Sequence, residues 1–259
     1  MKISIITATY NSEKTLQDTI DSVYSQNYQH IEYIVIDGNS TDRTIEIIKR
    51  NEHKITRWVS ETDKGIYHAI NKGISISSGD IIGLLHSDDY YADNNVISTI
   101  MKHFRSTQKT SIMSDVVMVD RVKTDVVRRF ISAKNFKPWH LKLGLMPGHP
   151  GFFTYRKNFT SHGAYNLQFK IAADFEILVR FFLKQNLKYE YVPITAVRMR
   201  IGGTSTSKFP RTNISILTEN LQALSLNGIK SSYLLLSLKI ILKLNQFILF
   251  SGKKNSNGI

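Results

Sequence analysis

The sequence predicts an α/β fold: a mostly parallel central sheet with helices on both faces, followed by a C-terminal amphipathic helical extension. Three observations predict it. Short apolar runs rich in Ile and Val alternate with stretches of helical periodicity through the first hundred or so residues. Those runs are continuously apolar rather than alternating, as strands covered on both faces must be. The polar clusters Thr9-Tyr10-Asn11, Asp37 to Asp42 and Ser87-Asp88-Asp89 each follow the end of a run, and that edge is where open α/β sheets bind ligands.

Taken in order, Ile3–Ala8 reads as a buried strand. After the capping-type Asn11 and Ser12, Thr15–Ser25 reads as a helix with Leu16, Ile20 and Val23 on one face. Tyr33–Ile36 is a second strand, closing on Asp37-Gly38-Asn39-Ser40-Thr41-Asp42, and a helix follows over Arg43–Arg50. A third strand, Ile55–Val59, leads through Glu61–Gly65 into a helix carrying Ile66, Ala69, Ile70 and Gly73 at i, i+3, i+4, i+7. The fourth strand, Ile81–Leu85, ends at His86-Ser87-Asp88-Asp89, and Asn94–His103 has helical periodicity. Beyond residue 105 the pattern loosens into strands over Ser111–Val119 and Val126–Ile131, a broken stretch Met146–Gly151, a helix over Ala172–Lys184 and a turn at Gly202–Ser205. With no repeat and no Pro/Ser/Gly linker, residues 1–210 are expected to form one domain, with a nucleotide-binding half (1–105) and an acceptor-binding half (106–210). Residues 211–259 form the helical extension. Within it, Tyr233–Phe250 is apolar but interrupted by Lys239, Lys243, Asn245 and Gln246, too broken for a membrane span. It suits an interfacial helix on an anionic leaflet, or a helix packed on the protein itself.

The chain has 259 residues, 34 Lys+Arg against 21 Asp+Glu, and a formal charge of +13, which points to an anionic partner: nucleic acid, a membrane surface or a phosphorylated small molecule. The absence of cysteine excludes a disulfide scaffold, a thiolate metal site and a cysteine nucleophile. Met1–Ala8 is far too short for an export signal, so a cytoplasmic location is expected. Lys and Arg cluster at 121–137 and in the C-terminal tail, while the strand-end loops are acidic. That distribution disfavours the first alternative function, a basic nucleic-acid-binding protein. A catalytically inactive membrane-surface scaffold is the second, and nucleotide-sugar binding would separate it from an enzyme.

No G-x-G-x-x-G or G-x-x-x-x-G-K-[ST] occurs, so a dinucleotide cofactor and a P-loop are not expected. Asp37, with Ser40, Thr41 and Asp42 behind it, stands where an acidic residue commonly bonds the sugar or base of a nucleotide. Adjacent carboxylates at Asp88 and Asp89 repel each other unless water or a cation intervenes. A divalent ion with oxygen ligands, Mg²⁺ or Mn²⁺, would serve, and such ions are usually shared with substrate phosphates. Helix capping is the competing role for this Ser-Asp-Asp.

In order along the chain stand Thr7-Ala8-Thr9-Tyr10-Asn11, Asp37-Gly38-Asn39-Ser40-Thr41-Asp42, Ser60 to Tyr67, Asn71-Lys72-Gly73 and Ser87-Asp88-Asp89. Together they resemble the family 2 glycosyltransferases, which have a Rossmann-like GT-A fold and build bacterial surface polysaccharides from nucleotide sugars. The resemblance is dense over residues 3–93 and thinner to about residue 205. It implies that Thr7, Tyr10 and Asp37 hold the nucleobase, and that Asp88 holds the ribose or donor sugar. Thr9, Asn11, Ser40, Asp42, Gly65, Asn71 and Ser87 complete the nucleotide-sugar site, with Asp63 and Lys64 beside the nucleotide. Asp89, with Asp88, would hold Mn²⁺ or Mg²⁺, although His86 stands at the first position of the family's Asp-x-Asp. Asp174 matches the base that deprotonates the acceptor, with Glu176 as the second acid, and His149 matches a position near the phosphates. The implied reaction is inverting transfer from a UDP- or GDP-linked sugar to a lipid-linked saccharide at the inner face of the plasma membrane.

Overall fold

The computed structural model describes residues 1–202 and 211–238. The strands are β1 (Ile3–Thr9), β2 (Ile31–Asp37), β3 (Arg57–Ser60), β4 (Ile81–Leu84), β5 (Tyr90–Tyr91), β6 (Ser111–Val119), β7 (Val127–Ile131), β8 (Phe152–Tyr155) and β9 (Tyr189–Arg200). The helices are α1 (Leu16–Tyr24), α2 (Thr44–Arg50), α3 (Ile66–Ile76), α4 (Val96–Ser106), α5 (Arg156–His162), α6 (Ala173–Leu178), which runs on as π-helical turns over Val179–Lys184, and α7 (Arg211–Leu226). They build one mixed sheet in the order β3-β2-β1-β4-β8-β6-β9-β5, with β7 paired to β6. The first four strands are mutually parallel, and β8 runs antiparallel to both β4 and β6.

Alternation along β1 separates two cores. Ile3 and Ile5 pack with α1 and α4 on one face, and Ile6 and Ala8 pack with α3 and α6 on the other. Helix α3 lies close on β1 because Gly73 has no side chain: a Cβ there would come 2.4 Å from Cγ2 of the buried Ile6. Ile6 is β-branched and cannot swing away, so Gly73→Ala is expected to lower stability by about 1–3 kcal/mol despite the better helix propensity of alanine. Urea unfolding checks this, and an unchanged midpoint would contradict the close approach.

The parallel half matches the expected order of elements, with β3 beginning two residues later than its apolar run. The apolar pattern did not reveal the short strand β5, nor, in the second half, strands β8 and β9 and helix α5. Strand β9 is twelve residues long and pairs with β6 across a slip: Ser114 lies opposite Val192, and Asp115 opposite Thr195. Pro193 and Ile194 occupy the slip, where a proline can sit within a sheet without removing a ladder bond. Helix α7 packs Leu217, Leu221, Ala223 and Leu224 into the same core as α6. Residues 203–210 and 239–259, and with them Gly203–Ser205 and most of the Tyr233–Phe250 stretch, lie outside the described residues. Among the described residues, no helix is long and apolar enough to cross a membrane.

Candidate active site

The carboxyl ends of β1, β2, β3 and β4 are tied to one another by side-chain hydrogen bonds. Asn11, in the left-handed region with φ 49°, receives a bond from the Thr41 N–H at 2.9 Å and donates its own N–H to Ser40 Oγ at 2.8 Å. Asp37 is fully buried and accepts from the Ser40 N–H, from Ser40 Oγ and, at 2.7 Å, from Ser60 Oγ on β3. Asp42 accepts from the backbone of Thr44 and Glu13. Burial opposes its charge, but these bonds outweigh it and hold the carboxyl below its usual range. Ser12 and Ser87 hydroxyls meet at 2.8 Å, joining the first loop to the fourth. Over this platform the Tyr10 ring stands 61% exposed, close above Gly38. An exposed aromatic face beside a buried carboxylate can stack on a base and fix its edge.

Thr9 is buried at the end of β1 and its Oγ1 has no partner among the described residues. Asp63 is held at Oδ1 by His68 and Lys72, at 2.7 and 2.5 Å, while its buried Oδ2 has no partner among the described residues. Lys64 is exposed on the same loop, and Gly65 follows with φ 110°, a conformation suited to glycine, to start α3.

Three expected ligands are placed elsewhere. Thr7 is fully buried on the α1/α4 side of the sheet, donating to the Leu85 carbonyl at 2.7 Å and accepting from Tyr33 Oη. Strand alternation puts it in the core, not in the crevice. Asn71 spends its amide on both backbone groups of Tyr165, donating to its carbonyl and accepting from its N–H. It is a latch between the two halves. Asp89 is 1% exposed, and its Oδ1 accepts the Arg200 N–H. Burial first, and then the neighbouring charge of Asp88, push its pKa well up. Arg200, at the end of β9, also donates to the Asp88 carbonyl and to the Asp18 carboxylate. The turn is therefore braced from behind, with Asp89 facing that brace and Asp88 left half-buried.

The second half closes over this edge. Tyr67 on α3 donates to the Ile171 carbonyl, and its ring stacks on Tyr165 at 5.8 Å. A cavity of about 150 Å³ is lined by Tyr67, His86, His149, Lys170, Ile171 and Asp174, among others. Asp174 sits in the first turn of α6, accepting the Phe175 N–H. Burial raises its pKa to about 6 and outweighs the hydrogen bonds that pull it down, and the Glu219 charge adds to the rise. A helix start alone would have lowered it. Glu176, by contrast, is bound to Arg180 and Asn227 and is not among the residues that line the cavity.

His149 is buried, meets Tyr165 Oη through Nε2 at 2.7 Å, and leaves Nδ1 without a partner among the described residues. Burial and the nearby His86 push its pKa down to about 3, so the ring is neutral. Burial likewise lowers His86, against the opposing charge of Asp88. Among the described residues, no three His, Asp or Glu side chains stand together as a preformed cage for a metal. The half-buried Asp88 carboxylate with the neutral His86 imidazole close to it still suits a divalent ion whose remaining ligands come from phosphates.

Residues 4–169 match the model of glycosyl transferase family 2. The chain belongs to that family. An uncharacterized glycosyltransferase of Mycobacterium tuberculosis is 33% identical over 187 residues, covering 69% of this chain and 68% of the relative. WfaP of Escherichia coli, a UDP-Glc:α-D-GlcNAc-diphosphoundecaprenol β-1,3-glucosyltransferase, is 37% identical over 108 residues, 41% of this chain and 42% of WfaP. Among solved structures, TarS 1–349 of Staphylococcus aureus with UDP-GlcNAc superposes with a TM-score of 0.70 at 17% identity, over 86% of this chain and 66% of that one. The mannosyltransferase PcManGT of Pyrobaculum calidifontis, with GDP-Man and Mn²⁺, gives 0.59 at 14% identity, over 88% and 73%. Full-length TarS is longer, and this chain covers 40% of it. The chain is thus a family 2 glycosyltransferase of GT-A fold, and its strand-end clusters stand together at one edge of the sheet. Tyr67, Tyr165, Arg200 and Glu219 were not anticipated as site residues. Tyr67 lies inside a motif of the resemblance, but nothing in the sequence around Arg200 or Glu219 marks either.

Proposed function

We propose that this glycosyltransferase moves a sugar from a nucleoside-diphosphate donor to a hydroxyl of a lipid-linked saccharide, with inversion, during cell-surface polysaccharide synthesis. The observation that carries this reading is Asp174: a half-buried carboxylate with a pKa near 6, lining a cavity beside the strand-end nucleotide platform. At pH 7 it is mostly ionised, yet basic enough to accept a proton as the acceptor oxygen forms its bond. The acceptor O–H proton passes to Asp174, the oxygen bonds the anomeric carbon, and the carbon–oxygen bond to the diphosphate breaks with its electron pair on the leaving group. Tyr10, Asp37 and Asp63 position the base and ribose. Asp88, with His86 beside it, would hold a divalent ion, Mn²⁺ or Mg²⁺, which would neutralise the leaving diphosphate.

The domain reading follows the same division. Residues 1–105 bind the nucleotide, 106–210 the acceptor, and 211–259 form the extension. WfaP's substrate, a diphosphoundecaprenol-linked sugar, supports a lipid-linked acceptor and a site of action at the cytoplasmic face of the membrane. So does the surface. Trp139, Tyr233 and Leu234 are exposed at 52%, 54% and 75%, among the exposed Lys134, Lys137, Lys142 and Lys230. The two segments that carry them are joined by a bond from Ser231 Oγ to the Lys142 carbonyl. Apolar side chains with a lysine border suit an anionic leaflet.

A thermal-shift screen of UDP, GDP, CDP and dTDP with Mn²⁺, Mg²⁺ or EDTA tests the donor side. One nucleotide should raise the melting temperature in the presence of metal, by the increment expected of binding to the native state. No response to any of the four would defeat the nucleotide-sugar reading.

A further inference from the structure

Immediately before α6 the chain presents three successive backbone N–H groups, those of Lys170, Ile171 and Ala172, to one side chain. Glu219 accepts them at 3.3, 2.9 and 2.8 Å. Ala172, at the N-cap position, has no side chain with which to cap the helix. The same segment is held from its carbonyl side by Tyr67, which donates to the Ile171 oxygen. Residues 170–172 are thus gripped between α3 and α7, and Asp174 emerges two residues later. Glu219 comes from α7, which lies beyond the 4–169 stretch matched by the family model.

We propose that Glu219 is a positioning residue for sugar transfer: its carboxylate fixes the 170–172 backbone and thereby holds Asp174 at the acceptor cavity. This rests on the reading of Asp174 as the base. The inference assigns Glu219 two effects. It removes freedom from the segment that aims Asp174, and misplacement of a reacting group by an ångström costs up to about 100-fold in rate. Its negative charge also adds to the burial that keeps Asp174 basic. The other groups facing Asp174 are Tyr67 from α3 and Tyr165 from the loop before α6, with Lys170, His86 and His149 on the same cavity. None of their side chains accepts from the 170–172 N–H row.

The test uses the full chain with aspartate carboxyl carbons labelled for NMR, the Asp174 signal being the one absent from Asp174→Asn. In Glu219→Gln, which keeps an acceptor oxygen but loses the charge, that signal should titrate at lower pH than in the wild type. The acid limb of kcat for UDP-glucose and a GlcNAc-diphospholipid acceptor should move with it, with plateau kcat kept within a few-fold. Glu219→Ala should lose kcat by about tenfold or more with unchanged KM for the donor, and Glu219→Asp should recover part of it. An Asp174 titration and kcat that stay at wild-type values in Glu219→Gln and Glu219→Ala would overturn the proposal. So would a drop in melting temperature with both values unmoved, since that describes a purely structural clamp. If Asp174→Asn itself keeps wild-type transfer, the base reading fails. If Asp174→Asn is inactive while the Glu219 variants titrate and turn over as wild type, only the positioning role fails.

Discussion

Asp174→Asn is expected to abolish sugar transfer and, above about pH 7, to make the protein more stable than the wild type. The two effects share one cause. Burial raises the Asp174 pKa from an ordinary 3.8 to about 6, so the native state disfavours the ionised form that catalysis needs. A raised carboxyl pKa means that the folded chain binds more protons than the unfolded chain between the two values. Stability therefore falls as pH rises from about 4 through 6, and the deficit persists above that. A displacement of about two units corresponds to an upper limit of about 3 kcal/mol. Asparagine keeps the size and the hydrogen-bonding oxygen for the Phe175 N–H, and removes the charge. The variant should melt higher than wild type at pH 8 and level with it near pH 4, and UDP release with acceptor should drop by at least the 10²–10⁴ that a general base contributes. Wild-type transfer by this variant would refute the base role. Equal melting temperatures at both pH values would refute the burial of the ionised carboxylate.

How far these features were legible from the residues differs between the two halves. Each parallel strand is a run of Ile and Val, and each is followed by residues whose side chains favour caps and tight turns. The register of the strand ends, and so the crevice, could be read directly from Asp37, Ser87 and Asp88. In the second half, hydrophobicity and structure part ways. The long strand β9 reads Tyr-Glu-Tyr-Val-Pro-Ile-Thr-Ala-Val-Arg-Met-Arg, with a proline at its centre, and only the slip against β6 makes it a strand. Side-chain direction was the other blind spot. Thr7 and Asn71 lie in motifs, but one points into the core and the other into a backbone latch. A motif gives position along the chain, and orientation comes from packing.

The charge of +13 shows a similar division. The crevice itself is acidic, with Asp37, Asp63 and Asp88 around it, so the surplus of lysine and arginine does not serve the nucleotide directly. Exposed lysines stand instead at positions 134, 137, 142 and 230, beside the apolar side chains at 139, 233 and 234. On the proposed function, a diphosphate approaching the acidic side would use a cation as intermediary, whereas an anionic lipid surface approaching the basic side would not.

That intermediary is where Asp88 and Asp89 must separate. Asp88→Asn is expected to remove the metal-dependent part of nucleotide binding, whereas Asp89→Asn keeps it. The geometry is the reason. Asp89 is 1% exposed and its Oδ1 is engaged by the Arg200 N–H, an interaction that an asparagine oxygen reproduces. Among the described residues Asp88 is hydrogen-bonded through its backbone carbonyl, to Arg200, and its carboxylate lies close to His86. Losing that carboxylate should weaken Mn²⁺-dependent UDP or GDP binding by more than the roughly 10–100-fold that an outer-shell partner is worth. Asp89→Ala, which leaves the Arg200 N–H unpaired in the interior, should instead lower the melting temperature, at a cost of about 1–3 kcal/mol. With His86 in place of a carboxylate, the donor set also favours Mn²⁺ over Mg²⁺, because imidazole suits the transition ion and magnesium prefers oxygen. His86→Asp should shift that preference toward Mg²⁺. Titrating nucleotide into each variant at fixed Mn²⁺ or Mg²⁺, with melting temperatures alongside, decides the matter. An Asp89→Asn protein that folds as wild type but has lost its Mn²⁺ response, beside an Asp88→Asn protein that retains it, would reverse the assignment.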